Sequence, residues 1–410
     1  MPRRRANVGF VLATLAIDAL GFGIVVPIVP ELVERLGGLS AAAASLWVGG
    51  LLAVFSATQF LAAPVLGGLS DRYGRRPVLL ASLAGVCVNY LLLAWAPTLP
   101  WLFAGRLIAG ATAANVSAAT AYIADVTPPA QRAQRFGLVG GAFGFGFVLG
   151  PALGGLLGGV WLRLPFLAAA GLAFVNVLYG AFVLPESLPA ERRRPLDWRR
   201  ANPIGSLASL GSDPAAIRLA IAWCCAWFAL GALQSSFVLS NGLRFGWGPR
   251  LNGIALALIG ASTAVVQALL VRRVVGRLGE RRAALAGYVL AAAAYASYAF
   301  AIGGWMIYLG LVLQALGAVS GPAVQAMVSQ RAGADRQGET QGALSSLQGL
   351  TSIVAPLIAG WLFGVFAAGG APVRFPGAPF LLAALSYGMA FVAVRGIPEL
   401  RTGRPCGRDS

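Results

Sequence analysis

Two residues carry charge into stretches that otherwise hold none. Asp18 stands inside the apolar run that follows Met1-Pro-Arg3-Arg4-Arg5, and Arg106 stands inside another. A charged side chain at the centre of a bilayer costs at least about 2.5–3.5 kcal/mol, so such a group faces a cavity or a partner. The chemistry open to Asp18 is proton uptake and release. Burial favours the neutral acid and a nearby guanidinium favours the carboxylate, so moving the two apart changes the affinity for a proton. Counted from the run ends, Asp18 lies about 16 Å from one face and Arg106 about 20 Å from that same face, at 1.5 Å per residue in a core about 30 Å thick. The plainer reading is a static Asp18–Arg106 pair that ties two helices. A third has Arg106 hold an anionic ligand directly.

Amides and aromatics within the apolar runs are the other groups able to contact a solute. Gln59, Asn89, Asn115, Gln234, Gln267, Gln314 and Gln325 each need a partner or water in a low-dielectric surround. Trp227 and Tyr308, with Trp223, Phe228 and Tyr295, could stack on an aromatic compound; lipid contact or core packing is the commoner use of such rings. Glu31 and Glu34 follow Pro30 and read as solvated, at a cavity mouth. There is no His and no Lys, hence no phosphate-cradling Gly-x-x-x-x-Gly-Lys loop, and no cluster with metal-ligand spacing. Neither a catalytic enzyme, a bound cofactor nor a metal is expected.

The elements that position these groups follow from composition. Of 410 residues, 58% are hydrophobic and 11% charged, less than half the share of about 25% in soluble domains. Mean hydropathy is +0.76. Twelve runs reach the roughly 20 residues needed to span a bilayer: 7–29, 45–67, 78–96, 99–122, 135–158, 163–184, 217–240, 250–272, 283–302, 304–329, 341–366 and 378–396. The first resembles a signal peptide, but its length, Asp18 and the lack of a small-residue cleavage site mark it as a retained span. The cysteines imply no disulfide framework, since Cys87, Cys224 and Cys225 fall in apolar runs and Cys406 in the tail. All 31 basic residues are Arg, clustered between the runs rather than on one continuous face, which argues against nucleic acid as a partner.

Arginines accumulate in short cytoplasmic loops. With the N-terminus inside, the cytoplasmic segments hold 25 of them and the opposite face five, Arg35, Arg163, Arg244, Arg250 and Arg374. Both termini are therefore expected inside. The charged interval 185–216 separates two sets of six spans, giving an N-terminal bundle 1–184, a linker 185–216, a C-terminal bundle 217–396 and a tail 397–410. A shift of 205 residues lays Asp71-Arg72-Tyr-Gly74-Arg75-Arg76 on Gly276-Arg277-Leu-Gly279-Glu280-Arg281, and Gly150-Pro151 on Ala355-Pro356. Two matches at one offset argue for duplication, and repeated bundles commonly place a substrate site between them near the midplane.

Gly67-x-x-x-Asp71-Arg72-x-Gly74-Arg75-Arg76 between the second and third spans resembles the loop motif of the major facilitator superfamily, and the resemblance covers nearly the whole chain. Gly146-x-x-x-Gly150-Pro151-x-x-Gly154-Gly155 in the fifth span is similar to the motif of that superfamily's proton-driven drug antiporters. Leu102-x-x-x-Arg106-x-x-x-Gly110 resembles a third motif, with Ala109 where Gln is usual. Asp18-Ala-Leu-Gly21-Phe-Gly23-x-x-x-Pro27-x-x-Pro30, Asn89-Tyr90-Leu-Leu-Leu-Ala and Arg244-Phe-Gly-Trp247 extend the likeness to the tetracycline/proton antiporters. Three positions depart from that branch: its helix-three acid is Asn89 here, its helix-eight His is Thr263 and its helix-nine Asp is Ala291. These groups belong to proton coupling and metal–tetracycline handling in the relatives.

The resemblance implies an all-α integral membrane fold of twelve transmembrane helices in two pseudo-repeated six-helix bundles. It implies a monomer in a bacterial inner membrane that exchanges protons for a small apolar solute by alternating access. The alternatives are an uptake or metabolite-export porter on the same fold and a non-transporting sensor or scaffold. Asp71 is expected to meet the start of the eleventh span and Arg75 to pair with Asp125, latching the bundles when the cavity faces outward. The repeat copy has Gly276 in place of the acid, so the latch would be one-sided. The glycines and Pro151 of the fifth span allow close helix packing and bending, either as a gate or as plain tight packing.

Overall fold

An apolar segment in hydrocarbon can satisfy its backbone amides only internally, which dictates helices. The computed structural model describes residues 8–113, 115–193, 213–371 and 373–397, and among them all long elements are helical. The expected tail beyond residue 397 and linker residues 194–212 lie outside the described residues.

In chain order the helices are α1 (Val8–Val25), α2 (Val29–Gly37), α3 (Ala41–Tyr73), α4 (Arg75–Trp95), α5 (Leu99–Ala111), α6 (Asn115–Val126), α7 (Pro129–Val160) and α8 (Leu164–Phe182). After the linker come α9 (Pro214–Phe245), α10 (Pro249–Val265), a π-helical turn Val266–Leu270, α11 (Val271–Leu278), α12 (Glu280–Ala299), α13 (Gly304–Gly317), α14 (Ser320–Ala367) and α15 (Ala378–Arg395). Local chemistry sets several boundaries. Ser40 Oγ accepts from Ala43 N at 3.3 Å to cap α3, and Asp213 caps α9 ahead of Pro214. Pro27 and Pro30 end α1 and restart the chain as the short α2, so the first span stops earlier than expected.

Ten helices among the described residues are long and apolar enough to cross a membrane. Two of the twelve expected spans are not among them. The run 99–122 is interrupted after Ala111 and resumes at Asn115, leaving α5 too short to cross alone. The run 283–302 is helical as α12, but its alanines and tyrosines make it less apolar.

The internal repeat is visible in the element boundaries. Helices α4 and α12 begin at 75 and 280, α5 and α13 at 99 and 304, α6 and α14 at 115 and 320. Gly74 and Gly279, also 205 apart, both adopt positive φ, 109° and 77°, where an L side chain would be strained. The interruption in the fourth span thus has a counterpart at Ala318–Val319 in the tenth. Matched breaks in the two halves are a bottom-up pointer to a binding site.

The halves touch through backbone. A Cβ on Gly49 of α3 would lie 2.4 Å from Pro356 O of α14, and one on Gly360 would lie 2.6 Å from Ser45 O. Gly155 and Gly253 bring α7 and α10 together in the same way. These contacts lie toward the arginine-poor end. Toward the arginine-rich end, Gly67 of α3 and Gly140, Gly141 and Gly144 of α7 have no atom within 4 Å of a built Cβ. The backbone-to-backbone seams between the halves thus lie toward the arginine-poor end.

Candidate functional site

Helix α1 is held on two sides, which fixes where Asp18 points. Gly146, Gly150 and Gly154 let α7 approach its backbone: added Cβ atoms would lie 2.4 Å from Ala19 C, 2.5 Å from Gly23 Cα and 2.0 Å from Ile24 O. On the other side Asn176 Nδ2 of α8 donates to Thr14 O at 2.9 Å. Asp18 as a residue is half-buried.

Its Oδ2 accepts from Asn115 Nδ2 at 2.9 Å. Asn115 is 6% exposed and is the first residue of α6 after the interruption. Thr112, at the end of α5, turns its hydroxyl back to Ile108 O at 2.8 Å and packs against Gly85, where a Cβ would lie only 2.1 Å from Thr112 Oγ1. A carboxylate beside the positive end of a half-helix, with an amide donating to it, is in favourable surroundings.

The expected Asp18–Arg106 meeting is not made as an ion pair. Arg106 is 7% exposed and its buried Nε has no hydrogen-bond partner. Tyr90, 4% exposed, lies within electrostatic reach of both charges, while the carboxylate turns to Asn115. Similar depth put the two charges at one level, but their azimuths on α1 and α5 separate them. Asn89 is 2% exposed, with its Oδ1 unpaired and close to Gly105 of α5, next to Arg106.

At the arginine-rich end Arg75 is shared by two acids. Nη1 lies 2.6 Å from Asp71 Oδ1 and Nε lies 3.1 Å from Asp125 Oδ2, which also accepts from Ser187 Oγ at 3.1 Å. Asp71 does not meet the eleventh span among the described residues. Its partner is Arg75, and α14 is helical throughout Ser320–Ala367, leaving no separate N-terminus for the acid. Arg72 lies over the Tyr73 ring at 5.1 Å, and Arg76 donates to the carbonyls of Gly180 and Ala181 at the end of α8. Glu186 was not singled out from the sequence. It accepts from the backbone amides of Arg75 at 2.9 Å and Arg76 at 3.2 Å, capping α4, and a Cβ on Gly74 would lie 2.4 Å from it.

The sequence pattern of the Major Facilitator Superfamily matches residues 11–356 and 244–405. The chain belongs to the major facilitator superfamily. It is 42% identical to the class C tetracycline resistance protein of Escherichia coli, over 85% of this chain and 87% of that one. It is 38% identical to the class G tetracycline resistance protein of Vibrio anguillarum, over 86% and 89% of the two chains. The crystal structure of the human organic anion transporter MFSD10 superposes with a TM-score of 0.70 at 28% identity, covering 96% of this chain and all of that one. The nucleoside transporter NupG superposes at 0.75 with 13% identity, over 95% and 99%, a likeness of fold alone.

As a major facilitator transporter the chain carries its remaining sequence-derived candidates unevenly. Asn115 bonds Asp18, whereas Asn89 is buried against Gly105 of α5, next to Arg106. Gln314 instead accepts from Tyr298 Oη at 2.7 Å, and Tyr308 packs its ring 5.6 Å from that of Trp247, so both belong to packing within the last helices. Gln59 is half-buried; Gln234, Gln325 and Gln267, the last on the π-helical turn, are exposed. Trp227 stands 6.2 Å from Trp223, which occupies the position 205 residues after Asp18 and whose buried Nε1 has no partner. Thr263 is partly exposed on α10 and Ala291 is buried on α12. Tyr90 and Asn176 were missed as site residues; Tyr90 stood in a stretch that carries the family resemblance, and the signal for Asn176 was polarity within an apolar run.

Proposed function

We propose that the protein is a proton-coupled antiporter that exports small, largely apolar drug-like compounds across a bacterial inner membrane, working as a monomer of two six-helix bundles that alternate access. The carrying observation is Asp18: an acid within a spanning helix, held by an amide at a helix break. With the arginine-rich end cytoplasmic, the glycine seams toward the opposite end support an inward-facing reading, in which Asp18 releases a proton and the site receives solute. A solute whose donor group engages the Asp18 carboxylate excludes the proton, and that mutual exclusion is what exchange requires. Arg75 with Asp71 and Asp125, and the seam of Gly146, Gly150, Pro151, Gly154 and Gly155, supply the moving contacts. The tetracycline resistance relatives support export.

The unpaired Arg106 favours a second reading, a porter of small organic anions, for which the organic anion transporter among the solved structures is a precedent. Expression in a pump-deficient host separates the two. Export of apolar compounds raises tolerance to them, and a proton uncoupler restores their accumulation. Tolerance unchanged by any compound, with uptake or loss of organic acids instead, would replace the first reading by the second.

A further inference from the structure

Asn115 Oδ1 is buried with no hydrogen-bond partner, while Nδ2 of the same amide donates to Asp18. A primary amide offers donors on one side and an acceptor on the other. The carboxylate form of Asp18 needs a donor, which it has. The protonated form carries an O–H that needs an acceptor, and half a turn of the Asn115 amide presents one. We propose that Asn115 is a positioning residue that bonds Asp18 in both protonation states and so links proton uptake to the break in the fourth span. This rests on the proton-coupling reading of Asp18.

The surroundings narrow the alternatives. Of the titratable and charged groups around Asp18, Tyr90 of α4 is within electrostatic reach, Arg106 of α5 faces Tyr90 rather than the acid, and Asn115 supplies the direct hydrogen bond. Asn176 of α8 is committed to Thr14 O, and α7 offers glycine backbone and Phe147, whose ring meets Phe22 at 5.8 Å. The other half shows what the same break looks like without a proton. There Ser320 takes the place of Asn115 and returns its hydroxyl to Gly317 O at 2.9 Å, and Trp223 takes the place of Asp18. The break that faces no acid closes on itself; the break that faces Asp18 leaves an amide oxygen open. Because Asn115 begins α6, a rotated amide changes what holds that helix end, at a joint only a few residues long.

The test needs no transported compound. Infrared titration of the purified full chain in liposomes follows the protonated-carboxyl band, assigned to Asp18 by its loss in Asp18→Asn. Asn115→Leu offers neither donor nor acceptor. The carboxylate loses a bond of about 1.5–3 kcal/mol and the acid one of about 0.5–1.5, so the acid band persists to higher pH by about one unit, and it moves to higher frequency because its O–H has lost its acceptor. Asn115→Gln, which keeps both functions, restores both readouts toward wild type. If Asn115→Leu does not fold, Asn115→Ala carries the same measurement. A band that titrates and absorbs as in wild type in the truncated variant overturns the role of Asn115 and leaves proton coupling standing. A wild-type chain with no titrating Asp18 band overturns the coupling reading itself.

Discussion

The seam between α7 and α10 makes a state-specific prediction. A methyl group added at Gly253 would sit 2.4 Å from Pro151 O and 2.8 Å from Gly155 Cα. Both obstacles are backbone, so no rotamer change relieves them. Carbon contacts relax near 3.5–4.0 Å, which requires the helices to move apart by roughly 1 Å. Overpacking of this kind costs about 1–3 kcal/mol. The contact joins the two halves only where the arginine-poor end is closed, so the penalty falls on that state and shifts the equilibrium toward the opposite opening by roughly 5- to 150-fold at 1.4 kcal/mol per tenfold. Gly150→Ala is the contrasting change: its Cβ would meet Gly23 within one half, 2.5 Å away, and it should lower the melting temperature without favouring either opening. Spin labels at Val160 and Leu251, both exposed, in a chain lacking its native cysteines report the separation by pulsed electron resonance. Gly253→Ala should populate longer distances, with Gly159→Ala, which has no neighbour within 4 Å, as control. A distribution unchanged in Gly253→Ala would refute the gating role of this seam.

Asp71→Asn should slow transport while leaving the thermal melt unchanged, because a half-exposed pair contributes at most about 1 kcal/mol; full transport activity would remove Asp71 from the gate. Glu186→Ala should cost about 0.5–2 kcal/mol by uncapping α4, seen as a lower melting temperature in scanning calorimetry. Glu34 lines a cleft of about 390 Å³ with Glu31, Arg35 and Trp247. Burial first, then Glu31, raises its pKa above the ordinary 4.5, with Arg35 partly opposing. The folded chain therefore holds that proton more tightly than the unfolded one, and its contribution to stability falls as pH climbs from 4.5 through the raised value. Melts recorded across that window should decline less in Glu34→Gln than in wild type.

Helices and loops were legible because hydrocarbon length and charge exclusion act on composition alone. Two boundaries differ from that reading: α1 ends at Val25 rather than 29, and the expected loop over Gly67–Pro77 is helix on both sides of Gly74, because α3 runs on to Tyr73 and α4 starts at Arg75 under the Glu186 cap. Even the 205-residue offset of the repeat reappears in helix boundaries. What the sequence concealed is mostly azimuth. Depth along α1 and α5 follows from a residue count, but each residue turns 100° about the axis, and that rotation gives Asp18 to Asn115 rather than to Arg106. The break after Ala111 was hidden because 99–122 is mostly apolar, with Thr112 and Asn115 hinting that the backbone has another use for polar atoms there. Gln314 and Tyr308 read as cavity groups because their partners, Tyr298 of α12 and Trp247 of the connection between α9 and α10, come from other parts of the chain. Glu186 was invisible as a cap because the helix it serves begins 111 residues earlier in the chain.

The claim at the centre of this account is that Asp18 carries the coupling proton. Purified wild-type and Asp18→Asn chains in proteoliposomes, under an imposed pH gradient and with tetracycline and the compounds found by tolerance screening as probes, test it directly. The wild type should accumulate a probe against its gradient and collapse the imposed pH difference as it does so. Asp18→Asn should still bind the probe but show no pH-driven accumulation. Accumulation at the wild-type level in Asp18→Asn would contradict the account.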